Sequence, residues 1–477
     1  MALKKSAPVK MKAVKNSESG NTKSRAYVTD FTRGNIHRQM LVFAAPLFFC
    51  NLFQVVYNIA DMIIIGNVTG KAGISAVAVG GDITHFLTFL VMGFANAGQV
   101  IIAQYLGAGH TEKLNRFIST LFAFLLGSAL LISIACFFLR TELLQIMNTP
   151  PESFEEALKY TAYSIPGLFF VYGYNTVSAV MRGMGDSKHP FIFISMAAVM
   201  NVLLDLLFVV RLRAGAAGAA AATVISQGLS FIISFIFMIK RKGEYGLSLR
   251  IRDFFKIDME MLMPLLKLGV PMAIRSASVQ FSKMFMNSWI NSYGVAVSAV
   301  GGIANKFNAA GILFANAVTT AGSSMAGQNI GAQKYSRVPV IMLTAAKITL
   351  SIATILSAAL LLFPRQIFGV FTQDPEVMKV AMEYLPAAIF FFYGSATRAP
   401  MNALINGSGN YFVNIINAVC DAIVMRICFS LLLGLGFGMK YFGFWLGDAM
   451  AGFTPLVIGL IFFFSGKWKT NKYIIKA

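Results

Sequence analysis

The fold of this chain is decided in the stretch Pro46-Leu-Phe-Phe-Cys-Asn-Leu-Phe-Gln54-Val-Val-Tyr57-Asn58-Ile-Ala-Asp61-Met-Ile-Ile-Ile-Gly66. Asp61 is its only charged residue, and Gln54, Tyr57 and Asn58 precede it by seven, four and three residues. At this spacing all four side chains share one face of a helix. A charged side chain near the centre of a bilayer costs about 2.5–3.5 kcal/mol, and such residues usually face a bundle interior or a watery cavity. The stripe therefore predicts a functional site in a membrane-spanning helix.

The composition places the chain in a membrane. Of its 477 residues, 57% are hydrophobic and 13% are charged, and the mean hydropathy is +0.68, far from a soluble globular domain. The apolar runs are long and continuous, whereas strands of a membrane barrel are about 9–11 residues of alternating polarity. We predict an all-α membrane protein with twelve spanning helices in two pseudo-symmetric six-helix bundles. The predicted spans are residues 38–64, 75–106, 117–139, 157–182, 190–212, 214–240, 262–292, 297–327, 338–363, 378–405, 411–436 and 441–465.

Membrane topology accounts for the net charge of +20. If residue 1 is cytoplasmic, the N-terminal tail, the even-numbered loops and the C-terminus carry 25 of the 40 Lys and Arg residues, and the odd-numbered loops carry 8. Cytoplasmic loops of membrane proteins are enriched in Lys and Arg. We therefore predict a multi-pass protein of the cytoplasmic (inner) membrane with both termini in the cytoplasm, and no nucleic-acid partner.

Polar breaks divide the chain into five segments. Residues 1–36 are predicted to be a disordered basic cytoplasmic tail, because they are rich in Lys, Ser and Asn and lack an apolar core. Residues 37–240 form the predicted first lobe, residues 241–260 a cytoplasmic linker, and residues 261–466 the second lobe, before a cytoplasmic tail at 467–477. All four Cys residues fall within predicted spans, so no disulfide is expected.

An internal repeat relates the two lobes. At an offset of 224 residues, residues 97–108 align with 321–332, which pairs Gly107 with Gly331, and residues 182–186 align with 406–410. Six spans per lobe give the first helix of each lobe the same direction. We therefore predict a parallel repeat about an axis along the membrane normal.

Two acidic residues lie deep in the first lobe, Asp61 and Asp205, and Asn201 lies one turn before Asp205 on the same face. No basic residue lies well inside the spans of this lobe to neutralise them. We predict that Asp61, Asn201 and Asp205 form an ion-coupling site for H⁺ or Na⁺, with no other cofactor and no bound metal. The alternative is structural: Asp61 would hydrogen-bond a neighbouring helix and Asp205 would lie at a membrane interface.

Further polar residues predict the walls of a cavity. Gln54, Tyr57 and Asn58 of the first span, with Tyr172 and Asn175 of the fourth, are predicted to line it, and packing is the alternative for the last two. The second lobe differs in sign. Its spans contain Arg275 and Arg398, which predict a basic wall suited to an anionic group, and Asp421 is a candidate ion-pair partner of Arg426.

The sequence lacks the motifs of an enzyme. It contains no nucleotide-binding loop, no nucleophile elbow and no Cys/His cluster with metal-ligand spacing. We therefore predict a monomeric transporter of small amphipathic molecules that draws its energy from an ion gradient.

Together these motifs resemble the multidrug and toxic compound extrusion (MATE) family, on its DinF-like prokaryotic side. The resemblance rests on Pro46 with the Tyr57-Asn-Ile-Ala-Asp61 run, on residues 104–108 and 182–186, and on Asn201-x-x-x-Asp205. It extends from about residue 35 to about residue 466. It implies two bundles in a V shape that exchange drugs or organic cations for H⁺ or Na⁺ by rocking. By this resemblance, Asp61 matches the family's first-helix Asp, Pro46 its hinge Pro, and Asn201 and Asp205 its fifth-helix pair.

The sequence departs from another branch of that family. That branch carries a Glu on the seventh helix and an Asp on the tenth, whereas Val279-Gln280 and Tyr393-Gly-Ser395 stand here. The main functional prediction is a multidrug efflux antiporter for organic cations. One alternative is a flippase for a lipid-linked saccharide or another anionic amphiphile, which the basic second lobe favours. Another is a polytopic membrane transferase, which the repeat disfavours.

Overall fold

The computed structural model of the chain describes residues 27–470, apart from the side chains of Lys71 and Ala72. Ten of the described helices are long and apolar enough to cross a membrane. Two further helices, of 33 and 37 residues and more polar than these ten, complete the predicted twelve. The twelve are α1 Ile36–Gly70, α2 Gly73–Ala108, α3 Thr111–Phe138, α4 Pro151–Gly183, α5 Lys188–Arg211, α6 Gly215–Lys240, α7 Met259–Asn291, α8 Val295–Gly331, α9 Arg337–Leu362, α10 Pro375–Gly407, α11 Tyr411–Gly436 and α12 Lys440–Phe464. Short helices at Arg140–Ile146, Ile251–Phe255 and Pro364–Gly369 join them.

The predicted repeat is confirmed by the backbone. Gly185 and Gly409, which the offset of 224 pairs, both end their helices with positive φ, at 86° and 69°. Gly109 and Gln333 form a second pair, at 75° and 59°. The same irregularity also recurs in the fifth helix of each lobe, because α5 becomes π-helical at Leu206–Arg211 and α11 at Cys420–Phe429. The two lobes therefore share local geometry at equivalent points of the chain.

Both described ends of the chain lie on one side of the bundle, here called the terminal face. The backbone N–H of Phe31 donates to Gln328 Oε1 at 3.0 Å, near the end of α8. The ring of Trp468 lies 5.9 Å from that of Tyr335, four residues after α8 ends. The first and last described residues therefore lie on the same side of the bundle, and the cytoplasmic location of the termini stays a prediction.

The lobes meet at the terminal face through small residues. A Cβ on Gly107 would collide with the carbonyl of Gln328, and a Cβ on Gly331 would collide with the carbonyl of Gln104. Because Gln104 and Gln328 are also 224 residues apart, this contact obeys the pseudo-two-fold of the repeat. Glycine is required at both positions because only it lets two helix backbones approach so closely.

Side-chain hydrogen bonds complete this contact. Gln104 Nε2 donates to the carbonyl of Gly407 at 2.7 Å, and Gln99 Nε2 donates to Ser324 Oγ at 2.7 Å. Closer to mid-membrane, Phe48 of α1 stacks on Phe314 of α8 with ring centroids 4.2 Å apart. These contacts all lie in the halves of the helices nearer the terminal face, so the lobes are closed on that side.

Residues 27–34, here called the strap, differ from the predicted disorder. Phe31 is 0% exposed, and its carbonyl accepts hydrogen bonds from Asn329 Nδ2 at 3.0 Å and Arg337 Nη2 at 3.2 Å. The backbone N–H of Thr29 donates to the carbonyl of Met184 in the first lobe at 3.2 Å. The strap is ordered because an aromatic side chain anchors it between the lobes. The remaining predicted tail, residues 1–26, lies outside the described residues, as do residues 471–477 of the C-terminal tail.

The linker between the lobes packs on the first lobe. Tyr245 and Phe254 are buried in its core, and the hydroxyl of Tyr245 donates to Asp186 Oδ2 at 2.6 Å. Burial, reinforced by the Asp186 carboxylate, raises the pKa of Tyr245. Asp258, which caps α7, pairs with Arg116 of α3 at 2.6 Å. Burial by itself would raise the pKa of Asp258, but hydrogen bonds from Arg116 and the backbone lower it overall.

Candidate functional site

The two predicted acids of the first lobe meet in the structure. Asp61 of α1 and Asp205 of α5 lie close enough for their carboxyl groups to interact electrostatically. Asp205 is 0% exposed, and Asn201 on the preceding turn is 2% exposed. Asp205 is therefore enclosed by protein and not exposed at the surface of the bundle.

The oxygen atoms of this acid pair are poorly satisfied. Both carboxylate oxygens of Asp205, one of Asp61 and the amide oxygen of Asn201 are buried without a hydrogen-bond donor among the described residues. Two ionised carboxylates have no proton to share, so a hydrogen bond between them requires one bound H⁺. Buried oxygens of carboxylate and amide groups are also the ligands that a small cation prefers. The arrangement can therefore bind either H⁺ or a cation.

Residues from α4 and α6, which the sequence analysis did not single out, complete the surroundings of the acid pair. The side chain of Gln227 lies close to the hydroxyl of Tyr57, and Asn201 Nδ2 donates to Thr223 Oγ1 at 3.3 Å. Tyr160 of α4 lies close enough to both acids to interact with them electrostatically. Thr223 and Gln227 are four residues apart on α6 and so share a face. That spacing was the available sequence signal.

The other predicted cavity residues differ in how far they are buried. Tyr172 is 2% exposed, and its hydroxyl donates to the carbonyl of Leu87 at 2.9 Å, which makes it a packing residue and not part of a cavity wall. Asn175 is half-buried, and its amide donates to Val171 in its own helix at 2.8 Å. Gln54 and Asn58 are half-buried on the same stretch of α1 as Asp61. Their role in substrate contact stays a prediction, as does that of Asn175.

Pro46 lies inside α1, which stays helical on both sides of it. Proline lacks an N–H, so the carbonyl of Val42 four residues earlier has no partner from this position. Ring contacts hold the following turns: Phe48 stacks on Phe314, and Phe53 lies 5.8 Å from Phe191 of α5. Whether α1 bends at Pro46 during function stays a prediction.

The second lobe contains a network of ion pairs at mid-depth. Asp421 Oδ1 accepts from Arg398 Nη2 at 2.9 Å and from Arg426 Nη2 at 3.2 Å, and Arg426 also pairs with Asp448. The predicted pairing of Asp421 with Arg426 is confirmed. Its spacing of five residues is unusual for an α-helix, and it fits here because this segment is π-helical, with hydrogen bonds from i to i+5.

Two further cations lie in the electrostatic range of this network. Arg275, at the midpoint of the 33-residue α7, and Lys283 interact with Asp421, Arg398 and Arg426. Ser282, next to Lys283, donates to the carbonyl of Ala422 at 2.8 Å and attaches this part of α7 to α11. With four basic and two acidic side chains, the cluster carries an excess of two positive charges. The described residues contain no group of three or more His, Cys, Asp or Glu side chains placed to hold a metal.

Comparison with known proteins agrees with this architecture. The MatE family model matches residues 46–207 and 271–444. The probable multidrug resistance protein YpnP of Bacillus subtilis (strain 168) is 29% identical over 443 residues, which cover 93% of this chain and 98% of that protein. The probable multidrug resistance protein NorM of the same organism is 23% identical over 442 residues, with coverage of 89% and 94%.

Solved structures share the fold. A MOP superfamily transporter from Pyrococcus furiosus, described as having a binding pocket of reverse polarity, superposes with a TM-score of 0.85 at 21% identity, covering 95% of this chain and 100% of that one. A MATE family transporter of the MOP superfamily in an outward-facing conformation superposes with a TM-score of 0.84 at 22% identity, covering 94% and 100%.

Two pseudo-symmetric six-helix bundles that are joined on one face form the V-shaped fold of these solved structures. The family model and the multidrug resistance relatives identify the chain as a membrane transporter and not an enzyme. The chain belongs to the MatE family. It is a multi-pass membrane protein of a family of multidrug efflux transporters, whose substrates are small molecules.

Proposed function

We propose that this protein is a secondary active antiporter that exports amphipathic organic cations from the cytoplasm in exchange for H⁺ or Na⁺, as a monomer in the cytoplasmic membrane. The observation that carries this proposal is the buried acid pair of Asp61 and Asp205. Its carboxylate oxygens lack donors, so a bound cation or proton supplies the interaction that they need. The excess of Lys and Arg in the tail and even-numbered loops supports a cytoplasmic terminal face.

In this orientation the closed terminal face is the cytoplasmic one, as is expected of an outward-facing state. The acid pair then exchanges with the external solution. H⁺ or Na⁺ binding at Asp61 and Asp205 removes the negative charge that holds a cationic substrate, and the substrate leaves. The substrate and the coupling ion thus have different affinities for the two charge states of one site, which is the condition for coupling. Bending at Pro46 would let α1 follow this change, because no backbone hydrogen bond has to break there.

The test is transport of a fluorescent amphipathic cation into everted membrane vesicles, driven by an imposed pH gradient or by an imposed Na⁺ gradient. We expect uptake by the wild-type protein with one of the two gradients. Asp61→Asn and Asp205→Asn keep the side-chain volume and remove a titratable group, and each should lower gradient-driven uptake at least about tenfold.

Asp82→Asn is the matched control. Asp82 lies on α2 of the same lobe, is exposed and is not part of the acid pair, so this variant should transport at the wild-type rate. Wild-type uptake by both Asp61→Asn and Asp205→Asn, at equal amounts of protein and across external pH, would contradict the proposed coupling site.

A second candidate function is favoured by the ion cluster of the second lobe. An excess of positive charge at Arg275 and Lys283 suits the phosphate of a lipid-linked saccharide, so a flippase remains the competing proposal. The P. furiosus transporter that shares this fold is described as having reverse polarity and a different function. Two results together would favour the flippase over the antiporter. Cells with and without the protein would be equally drug-sensitive, and Arg275→Ala would abolish the ability of the protein to support growth.

A further inference from the structure

The charge at mid-depth differs in sign between the lobes. The acid pair of the first lobe is negative or neutral, whereas the second-lobe cluster has two more basic than acidic side chains. The negative charges of Asp421 and Asp448 are balanced by Arg398 and Arg426, with which they pair. Arg275 and Lys283 are then surplus, and a surplus cation in a membrane span needs a partner or water.

The donors of this cluster are incompletely used. The Nε atoms of Arg398 and Arg426 and one oxygen of Asp421 are buried without a hydrogen-bond partner among residues 27–470. Arg426 is 1% exposed, so water has little access to its guanidinium. The cluster therefore has more positive charge and more donors than its own acids satisfy, and charge-assisted hydrogen bonds from such cations to a carboxylate or phosphate are short and about twice as strong as neutral ones.

The position of Arg275 relates the cluster to the space between the lobes. Two residues before it, the backbone of Ala273 is so close to α2 that a Cβ on Gly93 would collide with it. Gly269 lies against the ring of Phe94 one turn earlier. From Met261 to Ala273, α7 therefore packs on the first lobe, and Arg275 lies two residues further along a helix that contacts both lobes.

Resting on the proposed function, which places a substrate cation at the first-lobe acids, we propose that the second-lobe cluster is an anion subsite, and that the preferred substrates are zwitterionic amphiphiles. The acidic group of such a substrate, a carboxylate, sulfonate or phosphate ester, binds Arg275 and Lys283. Its basic group contacts the side of the cavity that holds Asp61 and Asp205. A dipolar molecule is complementary to both lobes, whereas a simple cation is repelled by one of them.

The experiment compares a rhodamine dye that has a free carboxylate with the methyl ester of the same dye, which is only cationic. The two probes differ by one methyl group and one charge. Gradient-driven uptake into everted vesicles and equilibrium binding to the purified protein, by fluorescence polarisation, are measured for both. We expect the wild-type protein to bind and transport the acid in preference to the ester.

Arg275→Gln and Lys283→Gln should each weaken binding and uptake of the acid about tenfold, and change those of the ester less than about twofold. Arg275→Lys and Lys283→Arg keep the charge and should retain most of the preference. Lys267→Gln is the matched control: Lys267 is an exposed cation eight residues before Arg275 on the same helix, and its removal should affect neither dye. Thermal stability of each purified variant shows whether it is folded.

The outcomes separate this inference from the proposed function. If the wild-type protein transports the ester and not the acid, or if Arg275→Gln and Lys283→Gln affect both dyes equally, the anion subsite is refuted and the cation antiporter stands. Transport of neither dye under any gradient would contradict the proposed function and, with it, this inference.

Discussion

The two lobes have the same fold, yet their mid-depth charges are stabilised in opposite ways. In the first lobe Asp61 and Asp205 form no ion pair with a basic residue among residues 27–470, and three of their four carboxyl oxygens are buried without a donor. In the second lobe Asp421 is held by Arg398 and Arg426 at 2.9 and 3.2 Å. A repeat fixes where helices bend and meet, but it leaves the charge on each face free to diverge. The unpaired lobe can change its charge state, whereas the paired lobe holds its charge.

The largest effect on stability that we expect comes from comparing the same Asp→Asn substitution in the two lobes, made one at a time. Asp421→Asn leaves two buried guanidinium groups without their counter-charge, and removing one partner of a buried pair costs about 3–5 kcal/mol. Asp205→Asn removes an acid that has no cationic partner, and should change stability by about 1 kcal/mol or less. Thermal unfolding of the purified variants in detergent measures both.

The double variant Asp421→Asn/Arg398→Gln is the control for this prediction. It removes a charge of each sign and keeps the Arg426–Asp448 pair, so it should recover part of the stability lost in Asp421→Asn. Equal unfolding temperatures for Asp205→Asn and Asp421→Asn would contradict the distinction between an unpaired and a paired lobe.

A second, smaller effect tests where the lobes are alike. Gly107→Ala and Gly331→Ala each place a methyl group against a carbonyl of the opposite lobe, and overpacking of this kind costs about 1–3 kcal/mol. Both should favour opening of the terminal face by similar amounts. Alkylation of Ser324→Cys, in a background without the four native cysteines, should become about tenfold faster from the cytoplasmic side.

Gly127→Ala is the matched control, because no atom lies within 4 Å of the methyl group it adds. It should leave the alkylation rate unchanged. A large increase for only one of the two glycine variants would show that the lobes do not contribute equally to this contact.

The smallest effect concerns the strap, where the pseudo-symmetry is broken. Lys334 Nζ donates to the carbonyl of Thr32 at 3.0 Å and to its hydroxyl at 3.1 Å, whereas His110, its equivalent in the first lobe, makes no side-chain cap. Lys334→Gln should release the strap by about 1 kcal/mol, and raise hydrogen exchange at the amides of Thr29 and Phe31 about fivefold. His110→Gln should leave these amides unchanged, and equal exchange in both variants would contradict a role for Lys334.

The sequence predicted the helices well because each depends on a local property. Continuous apolar runs locate all twelve spans, including α4 and α8, which are more polar because both helices are largely buried in protein. The pairing of Gly107 with Gly331 could be found because a close backbone approach requires glycine on both sides. The proximity of Asp61 and Asp205 could also be expected, because an apolar lobe offers few polar surroundings in which a buried acid can lie.

Other features depend on tertiary packing that no local pattern encodes. The sequence leaves cavity lining and packing equally open for Tyr172. In the structure its hydroxyl donates to the carbonyl of Leu87, and a backbone acceptor of this kind cannot be identified from a sequence. Tyr160 and Gln227 were missed because the faces that α4 and α6 turn toward α1 follow from how the lobe packs. The strap was assigned to a disordered tail because its composition resembles one, although the single buried side chain of Phe31 is enough to order it.

The strap also gives the two directions of the transport cycle different kinetics. It bonds Met184 in the first lobe and Gln328, Asn329 and Arg337 in the second, so the lobes cannot separate at the terminal face until one of these attachments is released. Closing the opposite face breaks none of them. Release of the strap therefore adds to the activation barrier of the step that opens the terminal face, and leaves contacts made within the lobes unchanged. Substitutions in the strap, residues 27–34, would thus change the turnover rate without changing the substrate specificity.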